Sequence, residues 1–447
     1  MNHNKNKLPV LNFKNMRSLN KTLGWIFILL ITVGLNNCAY SNGHKDQPIH
    51  FEPNNGGLTL PAGFQAVVVA DNIGSARHIV IRDNGDIYVA LEHMKNGGGI
   101  VAMRDNNGDG KPDVIKYFGN SGGNGIAIHD GYLYFAPDTA VWRYKLTKGQ
   151  LVPDGTPEHI VVNLPHKGDH HTKSITFDNQ GNMYLDIGSP TNACQQPERS
   201  KGVPGLDPCP QLKTRAGVWE FKADQKDQKL ANAHHYATGI RNGVGITWNS
   251  DVNKLYVVQN GRDQLHQLWP KYFTQKQSAE LPAEEFMLVK DGSNFGWPYA
   301  YYDQFQHKNV LAPEYGGDGQ KVGRAANYDD PIMAFPGHWA PLGLMFYTGN
   351  QFPSKFKNGA FIAFHGSWNR APLPQAPGRI VFVPFQGDKP ASDKWDNFAT
   401  GFAGVNQLSS PGQAKHRPVG LAQGPDGSLY VTDDSHGTVW RIMYTGK

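Results

Sequence analysis

The chain of 447 residues has little of what builds a helical or a nucleic-acid-binding protein. Apolar residues almost never recur at the three-to-four-residue period of an amphipathic helix, which argues against a helical bundle. Lys and Arg number 43 against 38 Asp and Glu, a net charge of only +5. They form no basic block or basic–aromatic stripe, so nucleic acid is not an expected partner. Cysteines number 3. The one sustained apolar run, Leu23 to Leu35, is too short to cross a bilayer.

That run follows Lys5, Lys7, Lys14, Arg17 and Lys21, the charge order of an export signal. Residues 1–37 therefore read as a signal peptide. Cys38 comes directly after it, an arrangement that resembles a bacterial lipoprotein signal, although Asn37 stands where a small residue is usual. The expectation is an exported protein, periplasmic or on the outer surface, that touches a membrane only through a lipid on Cys38. Residues 38–59, polar and rich in Gly and Asn, read as a flexible tether. Cys194 and Cys209 bracket a Pro/Gly-rich loop and are expected to pair in an oxidising compartment, free thiols being the alternative.

What the chain has in abundance is turns, with Gly 51 and Pro 30, and one phrase that returns six times. A small residue, usually Gly, and an aliphatic residue open a strand; a turn and a second strand follow. The aliphatic anchors are Ile79, Ile126, Ile175, Ile246, Leu344 and Leu421, spaced 47, 49, 71, 98 and 77 residues apart. A strand–turn–strand unit repeated at roughly 40–50 residues marks propeller blades. The fold class expected is all-β, a six-bladed β-propeller over residues 60–447. Phe64 to Val69, ahead of the first repeat, is expected to pair in the last blade and close the ring. The longer spacings hold insertions, which are expected to wall a pocket on one side.

The innermost strand of each blade starts at the central channel, so the residues before the anchors should converge. They are Arg77 and His78, Asn124, Asp169 to Lys173, Arg241 and Asn242, Trp339, and Lys415 to Arg417. This ring is rich in cations and holds almost no carboxylate beyond Asp169. Cations gathered without partners are costly, so the channel is expected to receive a polyanion.

Several short motifs then fall in order: Asp169-His170-His171-Thr172, Thr238-Gly239-Ile240-Arg241-Asn242-Gly243, Asn260-Gly261-Arg262-Asp263 and Asn294-Phe295-Gly296-Trp297-Pro298. Ala340-Pro341-Leu342-Gly343, His365-Gly366-Ser367-Trp368-Asn369-Arg370 and Arg417-Pro418-Val419-Gly420 continue the series. Together they resemble the pyrroloquinoline-quinone (PQQ)-dependent sugar dehydrogenases of the soluble glucose and sorbosone dehydrogenase type, from about residue 60 to the end. The resemblance implies that hydride passes from a sugar or sugar aldehyde to PQQ, a tricarboxylate ortho-quinone. Electrons then go to a non-nicotinamide acceptor, a quinone or a cytochrome. It implies that Arg241, Asn242, Arg417, Lys415 and Arg77 bind the cofactor, and that carbonyls of Gly261 and Arg262 hold a Ca²⁺. It makes His170 the general base, with Asp169 tuning it and His171 as a neighbouring competitor. Val244 replaces a Gln of the glucose enzymes, and a Lys of a late blade has only Trp368, Asn369 and Arg370 near its place, so a glucose pocket is not implied.

Asp105-Asn106-Asn107-Gly108-Asp109-Gly110 has the oxygen spacing of half an EF-hand loop, but Lys116 stands where the closing acid belongs. Asp105, Asn107 and Asp109 are thus either ligands of a second Ca²⁺ or parts of an Asx-rich turn. Two other function classes compete. A calcium-dependent lactonase on the same fold would need a carboxylate-rich cluster at the channel mouth. A non-catalytic binding propeller would not need a His flanked by Arg and Lys there.

Overall fold

A computed structural model describes residues 48–446. The signal peptide, Cys38 and most of the tether lie outside the described residues. The described residues form six blades, each an antiparallel sheet of four main strands starting at one of the six repeats. Ser293–Asn294 adds a short parallel strand to one, Lys389–Pro390 a short strand to another, and Ala300–Asp303 with Lys308–Leu311 forms a separate hairpin. Blade 1 consists of Ala76–Ile81, Ile87–Lys95, Gly98–Arg104 and Val114–Phe118. Blade 2 consists of Gly125–His129, Tyr132–Ala136, Val141–Lys145 and Glu158–Val161. Blade 3 is Lys173–Phe177, Asn182–Ile187, Gly217–Lys222 and His234–Thr238, and blade 4 is Gly245–Asn249, Lys254–Gln259, Glu284–Val289 and Met333–Phe335. Blade 5 is Pro341–Phe346, Gly359–Phe364, Arg379–Gln386 and Asp396–Ala399. Blade 6 has Pro418–Gln423, Leu429–Asp433 and Val439–Tyr444, and its outer strand is the early segment Phe64–Ala70. Six blades and this closure match the sequence expectation.

The closing strand is held by packing as well as by its ladder. Phe64 meets Phe352, Phe356 and Phe398 edge-on at centroid distances of 4.9, 5.4 and 5.1 Å, inside the core shared by blades 5 and 6. The ordered part also begins earlier than expected. Leu58 is buried in the same core, Thr59 bridges Thr400, and the Asn55 side chain accepts from the Ala66 N–H. An apolar side chain with a core to enter overrides the polar character of its neighbours, so the last residues of the expected tether belong to the domain.

The small residue of the repeated phrase has a steric cause. A Cβ at Gly125 would lie 2.7 Å from the Lys173 carbonyl oxygen of the next blade. At Gly343 it would lie 2.2 Å from that of Val419, and at Gly420 2.5 Å from that of Arg77. Inner strands of adjacent blades approach one another here, backbone to backbone. The channel itself is closed at mid-depth. Val244, Leu342 and Val419 from three blades pack together, and His78 reaches across to the Leu342 carbonyl at 3.0 Å. Burial pushes the His78 imidazole down to about 4, so it fills the axis as a neutral ring. Beyond this plug the six anchors line an open bowl of about 670 Å³. Gly343→Ala should therefore lower unfolding stability by about 1–3 kcal/mol, the cost of overpacking. Gly412→Ala, where an added Cβ meets nothing, should be neutral. Urea unfolding of the two variants checks the contrast.

Candidate active site

On the other side of the plug, the starts of the inner strands and the ends of the second strands come together, because the two are antiparallel neighbours. His170 lies just before the inner strand of blade 3. Its Nδ1 is within 2.8 Å of the Ser189 carbonyl oxygen and 2.9 Å of Ser189 Oγ, with Ser189 two residues past the end of the second strand. Since the Ser189 carbonyl can only accept, Nδ1 carries the proton and Nε2 is left as a lone-pair base. Burial, then the nearby Arg241 charge, holds the imidazole well below its ordinary value of 6.5, so it is neutral. Asp169 does not touch His170; its carboxylate pairs with Arg199 at 3.0 Å and is exposed. Orientation of the ring thus comes from Ser189. His171 stands 3.6 Å from Asp138, and its carbonyl accepts from the buried Lys173 ammonium.

Arg241 is buried, and its guanidinium is fully occupied by protein. Nε donates to Asn192 O at 3.3 Å, and Nη1 donates to Gly261 O at 2.7 Å and Asn260 O at 3.4 Å. Nη2 donates to Asn192 Oδ1 at 3.1 Å and Asp263 Oδ2 at 2.9 Å. The fork expected to face a ligand is turned into the wall. Asn242, half-buried, follows it. Gly261 O accepts from this guanidinium, and the Arg262 side chain is buried against Glu314. The turn is pinned by Glu284, whose carboxylate accepts from Gly261 N at 2.8 Å and Ala340 N at 3.0 Å.

Two more residues complete this wall. Asn192 is fully buried; its side chain also accepts from Asp263 N at 2.8 Å and donates to Asp263 O at 3.0 Å. Its carbonyl accepts from Trp297 Nε1 at 2.8 Å. Asp263 Oδ1 accepts from Asn369 at 2.7 Å, tying in the blade 5 insertion, and Arg199 reaches Asp263 at 3.4 Å. The Cys194–Cys209 disulfide, formed as expected, closes a loop that begins two residues after Asn192. The insertions therefore do build one wall. Asn192 gave no sequence signal, since a lone Asn in a loop is commonplace.

On the opposite side, Arg77 donates to Asn124 Oδ1 at 2.8 Å and to Asp434 Oδ2 at 3.0 Å, and His365 Nε2 bonds the same carboxylate at 2.9 Å. Burial alone would raise the Asp434 carboxyl, but His365, Arg77 and Arg417 more than offset it and hold it well below the ordinary carboxylate range. Arg417 donates only to carbonyls, His365 O at 3.3 Å and Gly366 O at 2.5 Å. Lys415 is exposed. The ring thus contains carboxylates that strand starts alone did not reveal, Asp434 and Asp263 above all. Among the described residues the Arg417 and Lys415 side chains form no ion pair, although the Arg417 charge acts on Asp434 and its backbone N–H donates to Asp433 at 2.7 Å. The Asp105–Asp109 oxygens instead serve their own loop. Asp105 accepts from the N–H groups of Asn107, Gly108 and Gly110, Asn107 from Asp109 N, and Asp109 from Lys111 N. Among the described residues, the one His/Asp/Glu/Cys group close enough to share an ion is His416, Asp433 and His436, not this loop.

Fold and site together define a six-bladed propeller with a neutral imidazole and several arginines at the same ends of its inner strands. The chain belongs to the TrAA12-like family, which it matches over residues 58–445. The resemblance read from its motifs, to PQQ-dependent sugar dehydrogenases, is borne out by sequence relatives over most of this chain. The chain is 30% identical over 427 residues to the pyrroloquinoline quinone-dependent pyranose dehydrogenase of Coprinopsis cinerea, covering 86% of this chain and 54% of that protein. It spans between half and two thirds of the curated relatives it matches, 61% of an uncharacterized Borreliella burgdorferi protein being the other case. In fold it is similar to the calcium structure of a family AA12 carbohydrate-active enzyme from Trichoderma reesei, at TM-score 0.70 and 18% identity, over 89% of this chain and 99% of that one. The holo PQQ domain of the Coprinopsis pyranose dehydrogenase gives 0.68 at 20% identity, over 89% and 98%.

The Asn192 cluster yields a direct expectation. Asn192→Ala leaves Arg241 and Asp263 with buried groups unmatched and should cost about 1–3 kcal/mol of stability for each group orphaned. Thermal unfolding, with the exposed Asn84→Ala as comparison, measures it.

Proposed function

We propose that this chain is a quinoprotein that oxidises a pyranose or related aldose with PQQ, His170 acting as the general base. The supporting observation is a buried, neutral histidine whose Nδ1 proton is fixed by Ser189, leaving Nε2 as a lone-pair base, on a six-bladed propeller of this family. The donor set suits a tricarboxylate: the Arg417 and Lys415 side chains hold no ion pair among the described residues, and a charge-assisted hydrogen bond to a carboxylate is stronger than the carbonyl contacts Arg417 now makes. Arg77, fixed by Asp434 and Asn124, adds positive potential beside them, and Asn242 lies on the His170 side of the cleft. Arg241 serves here as a wall residue whose charge keeps His170 neutral.

When bound, PQQ supplies the hydride acceptor. This chain's part is to place a sugar hydroxyl at His170 Nε2, which takes the hydroxyl proton as hydride leaves the same carbon. The carbon–hydrogen pair thereby becomes a carbonyl, and one proton rests on the imidazole. Electrons pass on to a quinone or cytochrome acceptor. Export and a lipid on Cys38 would place that exchange at a membrane surface. Lactonase-type hydrolysis is less well supported, because Asp263 and Asp434 are each committed to arginine or histidine partners. A plain binding module gives no reason for the Ser189-oriented imidazole.

His170→Ala should still take up PQQ, because other residues hold the carboxylates, while sugar-dependent dye reduction falls by about 10²–10⁴-fold. Normal turnover in this variant, with loss in His171→Ala, would move the base one residue along. The pH profile adds an independent check. A histidine whose folded value is depressed stays neutral, and competent as a base, below its ordinary 6.5. The acid limb of kcat/KM should therefore fall below that pH.

A further inference from the structure

Four arginines in this protein lie over an aromatic ring, and three of them share a design. Arg143 over Tyr132 carries Glu158 at 2.7 Å, Arg324 over Tyr299 carries Asp207 at 2.7 Å, and Arg441 over Tyr430 carries Asp426 at 2.8 Å. The fourth, Arg379, lies 4.1 Å over the Trp339 ring and has no carboxylate within ion-pair distance among the described residues. Its one protein contact is from Nε to Pro377 O at 3.3 Å, which leaves the outer edge of the fork open. The platform beneath it is fixed, since Trp339 packs edge-on against Phe364 and Trp395 at 5.4 and 6.1 Å.

A second guanidinium stands close by. Arg370 donates only to carbonyls, those of Pro374, Ala279 and Gly337, and its charge acts on Arg379. Both arginines are half-buried. Neither guanidinium is in an ion pair among the described residues, although the Glu280 charge acts on Arg370, and two like charges partly withdrawn from water repel each other and forgo solvation. The pair also borders the site. Arg379 is the cross-strand partner of Phe364, which precedes His365, and Gly378 abuts the Pro418 ring next to Arg417.

We propose that Arg379 and Arg370, with Trp339 as the platform, form a subsite for a carboxylate, which takes the place that Glu158, Asp207 and Asp426 fill at the other three stacked arginines. A guanidinium offers a carboxylate two parallel hydrogen bonds, which an ammonium does not. The inference rests on the functional reading above for its two candidate sources: a carboxylate of PQQ itself, or that of an acidic sugar such as a uronate.

The test compares wild type with Arg379→Ala, Arg379→Lys and, as a distant control, Arg324→Ala. PQQ affinity is measured by absorbance titration of the purified apoprotein, without any sugar. Binding of galacturonate and of galactose is measured by calorimetry, on the same protein before and after PQQ addition. Arg379→Ala should weaken one of the two carboxylate ligands by roughly ten- to a hundredfold, Arg379→Lys by less, and Arg324→Ala not at all. Loss confined to PQQ assigns the subsite to the cofactor; loss confined to galacturonate, with galactose unchanged, assigns it to the substrate. Wild-type affinity of Arg379→Ala for both ligands overturns the subsite, as does wild-type protein that binds neither. Wild-type protein that binds galacturonate but not PQQ sinks the functional reading and leaves the subsite standing. Should Arg379→Ala fail to fold, Arg379→Gln keeps the bulk, removes the charge and is read the same way.

Discussion

Six inner strands have to meet around one axis, and everything distinctive about the molecule follows from how tightly they do so. Backbone atoms of adjacent blades come so close at Gly125, Gly343 and Gly420 that a methyl group has no room. That closeness leaves no through-channel, only the plug of Val244, Leu342, Val419 and His78. One face is consequently a shallow aliphatic bowl. The other gathers strand ends, where the chain enters and leaves each blade and where polar side chains can be directed inward without breaking a ladder.

On that face the charges are only partly balanced, and the balance sorts the residues into two kinds. Arg241, Asp263, Asn192, Glu284 and Arg262 with Glu314 satisfy one another and form a wall; their hydrogen bonds fix backbone turns from three insertions. The side chains of Arg417, Lys415, Arg379 and Arg370 form no ion pair among the described residues, and they constitute the receptive part we propose. His170 sits where the first kind ends: Ser189 sets its tautomer, and burial and Arg241 keep it neutral. Burying cations against carbonyl oxygens alone is unfavourable relative to pairing them with acids, so the receptive part is where an anionic ligand gains most.

Much of the fold was legible from the repeated phrase, because ring closure imposes a small residue and an aliphatic anchor at the same place in every blade. The closing strand Phe64–Ala70 was legible for the same reason: an open edge had to be covered. The site was legible in part. Residues before each anchor were found, since one register reads them all. The ends of the second strands were not read, and so Asp434 stayed hidden and His365, although part of a quoted motif, was given no role. Asn192 and Asp263 depend on insertions folding against each other, a long-range event with no local pattern. Arg241 illustrates the remaining gap, for sequence places a guanidinium near the axis but does not say which way the fork turns. In the Asp105–Asp109 loop the side-chain oxygens accept from the loop's own backbone N–H groups, contacts that spacing alone did not specify.

The central claim is that this cleft accepts PQQ and lets a sugar reduce it. Anaerobic single turnover is the most direct measurement: apoprotein is titrated with PQQ, with and without Ca²⁺, and an aldose is then added with no electron acceptor present. The account predicts saturable binding at one PQQ per chain and a stoichiometric loss of the oxidised quinone spectrum on addition of sugar. PQQ that fails to saturate the protein, or bound PQQ that stays oxidised with every pyranose tried, would contradict it.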